Sequence, residues 1–204
     1  VTPTETATPG QGGCPTASTP LADIDASFAR ADIICIYNLG ITGGITPTLY
    51  GPGESVTREQ MAAFLARLWR VLGGNCPSTP APFIDISTSF AAADVGCIYG
   101  LGITGGVTAS FYGPGGDVTR EQMAAFLARF WRSLGGVCSA APAPLTDIST
   151  SFARADIDCI YNLGVTGGIT DALYGPRLQV TREQMAAFLA RLWRIAVPLG
   201  TPPP

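Results

Sequence analysis

Thr57-Arg58-Glu59-Gln60-Met61-Ala62-Ala63-Phe64-Leu65-Ala66-Arg67-Leu68-Trp69-Arg70 is the stretch that decides the fold. It returns at Thr119 to Arg132 and at Thr181 to Arg194, and its one change is Phe130 in place of Leu68. The step is 62 residues each time (57, 119, 181), without insertion or deletion, and Cys14, Cys76 and Cys138 keep it, as do Cys35, Cys97 and Cys159. Three near-equal copies need three near-equal packing environments. That predicts a pseudo-threefold or short solenoid arrangement and places any function at repeated sites.

The quoted stretch is a helix with its start written in. Thr57 as N-cap and Gln60 three residues on form a capping box, with Arg58 at the first helical position and Glu59 in the first turn. Met61, Phe64, Leu65, Leu68, Trp69 and Leu72 make one apolar stripe, with Arg67 and Arg70 off it. Gly73-Gly74 and Gly135-Gly136 end the first two copies, and Ile195-Ala196-Val197-Pro198 stands at that point in the third. An earlier helix is expected over Ser27 to Leu39, with Phe28, Ala31, Cys35, Ile36 and Leu39 as its apolar face. Gly40, Gly102 and Gly164 follow where a left-handed cap would sit. Between the helices, Ile41-Thr42-Gly43-Gly44 to Tyr50-Gly51-Pro52 predicts a compact turn-rich loop or a short two-stranded ribbon. The expected division is a Thr/Pro-rich linker at 1–20, repeats at 21–75, 76–137 and 138–197, and a Pro-rich tail at 198–204.

Composition removes most catalytic chemistry. The chain has no His, and all 12 of its Lys and Arg residues are Arg. Ser-His-Asp and Cys-His nucleophiles, Schiff-base lysines, phosphate-binding loops and His-ligated metals are excluded, and no cofactor is expected. A net charge of −3 argues against a nucleic-acid partner. No apolar run reaches the roughly 18 residues of a membrane span. The first residue is Val, which is compatible with an earlier leader having been removed.

The C-x20-C spacing, three times over, is not that of a zinc cage. It predicts one disulfide per repeat, Cys14–Cys35, Cys76–Cys97 and Cys138–Cys159. The alternative joins each Cys35-type residue to the next Cys76-type residue. Either pairing implies an oxidising compartment outside the cytoplasm, and a loop of this size is worth roughly 3 kcal/mol.

Phe83-x-Asp85, then Ile98-x-x-Leu101-Gly102-Ile103-Thr104-Gly105-Gly106, then Phe111-Tyr112-Gly113-Pro114 and Val118-Thr119-Arg120-Glu121 follow, in order, the pattern of an S-layer homology repeat. The resemblance covers residues 21 to 196. It departs at two points: the usual Thr-Arg-Ala-Glu reads Thr-Arg-Glu-Gln, and Phe28, Phe90 and Phe152 replace an early Trp. The resemblance implies a mainly α, three-pronged bundle of helix–loop–helix repeats at the cell surface or in the cell wall. Grooves between its repeats would bind cell-wall polysaccharide, often bearing a pyruvate ketal. The groove residues it implies are Thr57, Arg58, Thr119, Arg120, Thr181 and Arg182, with the pairs Gly43 and Gly44, Gly105 and Gly106, and Gly167 and Gly168. A guanidinium offers a planar fork to a carboxylate, and glycine lets a sugar approach the backbone.

Each residue also has a purely structural reading. Arg58 and its equivalents could pair with Asp25, Asp85 or Asp147. The glycines could serve turn geometry alone, Trp69, Trp131 and Trp193 belong in the core, and Asp23, Asp85 and Asp147 are read as helix-entry caps rather than Ca²⁺ ligands. Arg30 and Arg154 against Ala92, and Asn38 and Asn162 against Gly100, suggest grooves of unequal affinity. Non-covalent anchoring on envelope glycan is the first functional expectation. A structural subunit that docks on protein or on itself is the second. A glycosidase built on Glu59 and Asp85 is the third, and triplication speaks against it, since an acid–base pair gains little from three copies.

Overall fold

The structure, a computed structural model, describes residues 13–202; the Thr/Pro-rich stretch before residue 13 and the last two prolines lie outside it. Six α-helices alternate short and long: α1 Arg30–Asn38, α2 Arg58–Val71, α3 Ala92–Gly100, α4 Arg120–Ser133, α5 Arg154–Asn162 and α6 Arg182–Ala196. The described residues form isolated β-bridges but no strand. Cys14–Cys35, Cys76–Cys97 and Cys138–Cys159 are bonded, one bridge per repeat.

The repeats form a closed ring. Each long helix packs on the short helix of the next repeat, α2 on α3 and α4 on α5, and α6 returns to α1. At the centre, Val56 N–H donates to the Val180 carbonyl at 3.0 Å, Val118 to Val56 at 2.9 Å and Val180 to Val118 at 2.9 Å, a triangle with no free edge. Further out, Arg70, Arg132 and Arg194 each pair at 2.7 Å with Asp94, Asp156 and Asp32 of the following short helix. In each set one pair, Val56–Val180 and Arg194–Asp32, closes the last repeat onto the first, so the bundle is pseudo-threefold rather than an open solenoid.

The capping boxes form as expected, with Thr57, Thr119 and Thr181 accepting from the N–H of Gln60, Gln122 and Gln184. The first N–H groups of a helix have no partner within it, and here the next repeat supplies them. Arg58 N–H donates to the Gly116 carbonyl at 2.9 Å and Glu59 N–H to that of Pro114 at 3.0 Å, with equivalents at Leu178 and Pro176 and at Glu54 and Pro52. Every long helix therefore begins inside its neighbour's loop.

Met61, Leu65, Leu68 and their counterparts are fully buried in one continuous core, and Trp69 meets Phe130 edge-on at 5.8 Å. Removing a side chain such as Leu65 from such a core costs about 2–5 kcal/mol. The short helices differ from their expected phase. Ile33, Cys35 and Ile36 face inward as Ala29 does just ahead of α1, whereas Ala31 is exposed and Phe28, which precedes the helix, is 69% exposed. A nine-residue helix has too few turns to fix its phase from apolar spacing alone. Beyond α6 a 3-10 turn, Val197–Leu199, leads back to the body; Thr201 lies against Gly73 and Pro202 is buried. This part of the tail is docked rather than extended.

Candidate functional site

Three grooves lie between the prongs, and each draws on all three repeats. The first is lined by Arg58 of α2, the repeat-2 loop from Thr104 to Val107, Gln122, Phe126 and Arg129 of α4, and Phe152 of repeat 3. The second holds Arg120, Gly167, Gly168, Gln184, Phe188, Arg191 and Phe28. The third holds Arg182, Gly43, Gly44, Gln60, Phe64, Arg67 and Phe90. Their volumes are ≈ 290, ≈ 430 and ≈ 420 Å³.

The inner wall of each groove is an arginine locked to a tyrosine. Arg58 Nε donates to the Tyr112 carbonyl at 2.7 Å, and the Tyr112 hydroxyl donates to the Arg58 carbonyl at 2.8 Å. Arg120 with Tyr174 and Arg182 with Tyr50 repeat both bonds. The guanidinium carbon of Arg58 sits 4.7 Å from the Tyr112 ring centre and 5.4 Å from that of Phe126, so the cation lies between two π faces. The three arginines are only 5%, 4% and 3% exposed, yet each reaches a groove wall. Burial draws their pKa below the ordinary arginine value, opposed by the neighbouring tyrosine and carboxylates. They remain cations at neutral pH. Burial likewise pushes the Tyr50 phenol up to about 12 and raises Tyr112 and Tyr174.

No carboxylate comes within ion-pair distance of Arg58, Arg120 or Arg182 among the described residues. Asp25 pairs with Arg30 at the surface, at 3.0 Å. Asp85 spends both oxygens, each at 2.8 Å, on the N–H groups of Tyr112 and Gly113, and Asp23 and Asp147 clamp Tyr50-Gly51 and Tyr174-Gly175 alike. These aspartates are loop clamps, not helix caps. Burial disfavours their charge, but the backbone donors outweigh it and hold all three carboxyls below the ordinary aspartate pKa. Glu59, Glu121 and Glu183 accept at 2.6–2.7 Å from Ser89, Ser151 and Ser27 of the next short-helix entry.

Of the residues the sequence singled out, the arginines and the glycine pairs line the grooves, whereas the Thr57, Thr119 and Thr181 hydroxyls are spent on helix caps. The tryptophans are buried, with Trp69 Nε1 donating to the Asn75 carbonyl. The variable positions lie off the grooves: Arg30 binds Asp25, and Asn38 and Asn162 hold the carbonyls of Ala17 and Ala141.

Two groove elements escaped sequence reasoning. Arg67, Arg129 and Arg191 form a second guanidinium wall, half-buried, each with one long bond to a loop carbonyl at 3.3–3.4 Å and no carboxylate within ion-pair range among the described residues. Phe28, Phe90 and Phe152, 69%, 67% and 67% exposed, stand at the rims. Their signal was present: an off-stripe arginine and an aromatic before a short helix, each repeated three times. Each groove thus gathers two guanidinium groups, glycine backbone and an aromatic edge.

Comparison with known proteins agrees with this architecture. The S-layer homology domain model matches at residues 20–62, 82–124 and 144–186. The chain is 32% identical over 184 residues to an endoglucanase of Bacillus sp. (strain KSM-635), covering 87% of this chain and 19% of the relative. It is 30% identical over 118 residues to a cell surface protein of Thermoanaerobacter kivui (55% and 15%), and 26% over 176 residues to an amylopullulanase of Thermoanaerobacterium thermosulfurigenes (82% and 9%). The chain spans less than a fifth of any of these relatives, so no catalytic role follows from two of them being named as enzymes. No helix among the described residues is long and apolar enough to cross a membrane. With three consecutive matches that coincide with the three prongs of the ring, the chain belongs to the S-layer homology domain family, whose members are cell-surface anchoring modules.

Proposed function

We propose that the three-repeat ring holds an extracellular protein or surface layer on the cell wall by gripping an acidic polysaccharide in its grooves, without catalysis. One observation carries this: each groove places two arginines, without a carboxylate partner among the described residues, against glycine backbone and beside an exposed phenylalanine. In a chain of net charge −3, six such arginines gathered in three clefts are a local reversal of sign. A planar guanidinium fork matches a carboxylate, such as that of a pyruvate ketal, and an aromatic rim matches the apolar face of a sugar ring.

The test is sedimentation with native cell-wall sacculi and with sacculi stripped of accessory polysaccharide. Arg58, Arg120 and Arg182 also hold the fold, so the informative variant is Arg67→Gln, Arg129→Gln, Arg191→Gln. Pelleting that needs the polysaccharide and weakens at least about tenfold in the variant, a loss of about 1.4 kcal/mol, supports the anchor. Equal pelleting on stripped walls, or pelleting of the protein alone, would instead favour a structural subunit docking on protein or on itself.

A further inference from the structure

The middle repeat differs from its neighbours in the chemistry of its outer surface. Residues 83–116 contain two charged side chains, Asp85 and Asp94, against five over the equivalent stretch 21–54 and six over 145–178. Both of the two are engaged, Asp85 by the Tyr112 and Gly113 amides and Asp94 by Arg70 at 2.7 Å. The exposed Asp25, Arg30 and Glu54 of repeat 1 are Ser87, Ala92 and Gly116 here. The exposed Arg154, Asp171 and Arg177 of repeat 3 are Ala92, Ala109 and Gly115. Repeats 1 and 3 build the same fold with those charges in place, so packing does not account for their loss.

The same repeat gains apolar side chains on its outer loop. Ile84, 68% exposed, stands where the other repeats have Ala22 and Thr146, and Phe111, 47% exposed, stands where they have Leu49 and Leu173. Val107, 55% exposed, completes the set. Backbone bonds hold the three on adjoining turns of chain: Ile84 N–H donates to the Ser110 carbonyl at 3.0 Å and Val107 N–H to that of Phe111 at 2.8 Å.

We infer that this face of repeat 2 is a self-docking surface, on which a second copy of the chain seats the same face. Exposed apolar side chains gain by being covered. Chains of net charge −3 repel one another, and repeat 2 is the part through which two copies meet without bringing unpaired like charges together. A charged partner would find nothing on it to pair with. Two-fold contact between identical patches is the commonest geometry of self-association. Three large side chains are a small part of the roughly 20–30 residues a side of a stable interface. The contact is therefore weak in free solution and gains where copies stand side by side on one surface, at high effective concentration. It is independent of what the grooves bind.

The test is the concentration dependence of the ¹⁵N–¹H spectrum of the full chain, from micromolar to about 1 mM. Expected are shifts at the amides of Ile84, Val107 and Phe111, while Ala22, Ile45 and Leu49 and Thr146, Ile169 and Leu173 stay still as internal controls. Ile84→Thr with Ala109→Asp installs residues that repeat 3 already carries at these positions. It should keep the fold and weaken the association at least about tenfold. Ala22→Thr with Pro47→Asp makes the same change in repeat 1 and should leave the association intact. No concentration dependence up to about 1 mM, equal shifts in all three repeats, shifts at Val107 and Phe111 that survive Ile84→Thr with Ala109→Asp, or an equal loss in the repeat 1 variant overturns the proposal.

Discussion

Arg182 and Tyr50, 132 residues apart, hold each other by two reciprocal bonds, the Arg182 side chain to the Tyr50 carbonyl and the Tyr50 hydroxyl to the Arg182 carbonyl. The same pair joins Arg58 to Tyr112 and Arg120 to Tyr174 at a separation of 54. The contact that closes the ring is thus chemically the same as the two that the chain makes in passing. Replacing Tyr50 by Phe leaves a buried carbonyl of Arg182 without its donor. It should cost about 1–2 kcal/mol of stability, read as a fall in urea midpoint at constant slope, with Tyr37→Phe, half-buried and outside the lock, as the silent control.

Ring closure also predicts cooperativity. A chain shortened to residues 1–137 keeps two intact repeats but leaves α1 without α6 and α4 without α5. It should lose its sigmoidal thermal transition by circular dichroism rather than melt at a modestly lower temperature, as an open solenoid would.

Acid should loosen the loops. Asp23, Asp85 and Asp147 have folded pKa values below their unfolded ones, so their contribution is complete above the unfolded value of about 3.9 and is lost as pH falls through the lower folded values. Asp85→Asn should flatten the decline in stability below about pH 4, measured by denaturant titration across pH.

Alkali acts through the tyrosines. The Tyr50 phenol stands at about 12 in the fold against about 10 when unfolded, so the neutral form is favoured on folding. The tyrosine's contribution should be constant below about pH 10 and be lost as pH rises through about 12, with Tyr50→Phe removing its share of that fall.

Reduction should weaken the fold at each repeat. Each bridge closes a loop of 21 residues in sequence separation, worth about 3 kcal/mol. Cys14→Ala with Cys35→Ala should lower unfolding free energy by that order in non-reducing buffer and abolish the effect of dithiothreitol on repeat 1.

The long helices were legible because their start and their core face are both local signals: a capping box within four residues and an apolar stripe over four turns. The grooves were only half legible. Arg58 was found through its motif, but its partner Tyr112 lies in the next repeat, and no local pattern links them. Arg67 was dismissed because an arginine off the stripe usually faces solvent, and Phe28 was assigned to a core that begins one residue later. Asp85 was misassigned because an aspartate ahead of a short helix suggests a cap, while the donors it binds, Tyr112 and Gly113, come 27 and 28 residues later.

The packing of α6 on α1 has a mechanical consequence. A pull between residue 14 and the end of α6 enters α1 directly through the Cys14–Cys35 bond, which removes the intervening residues from the force path. It then meets the α1–α6 contact, with Arg194 gripping Asp32 and Arg182 gripping Tyr50, before any other repeat feels tension. The first and last elements of the chain act as a clasp, and while it stays shut, the grooves behind it keep their shape under load.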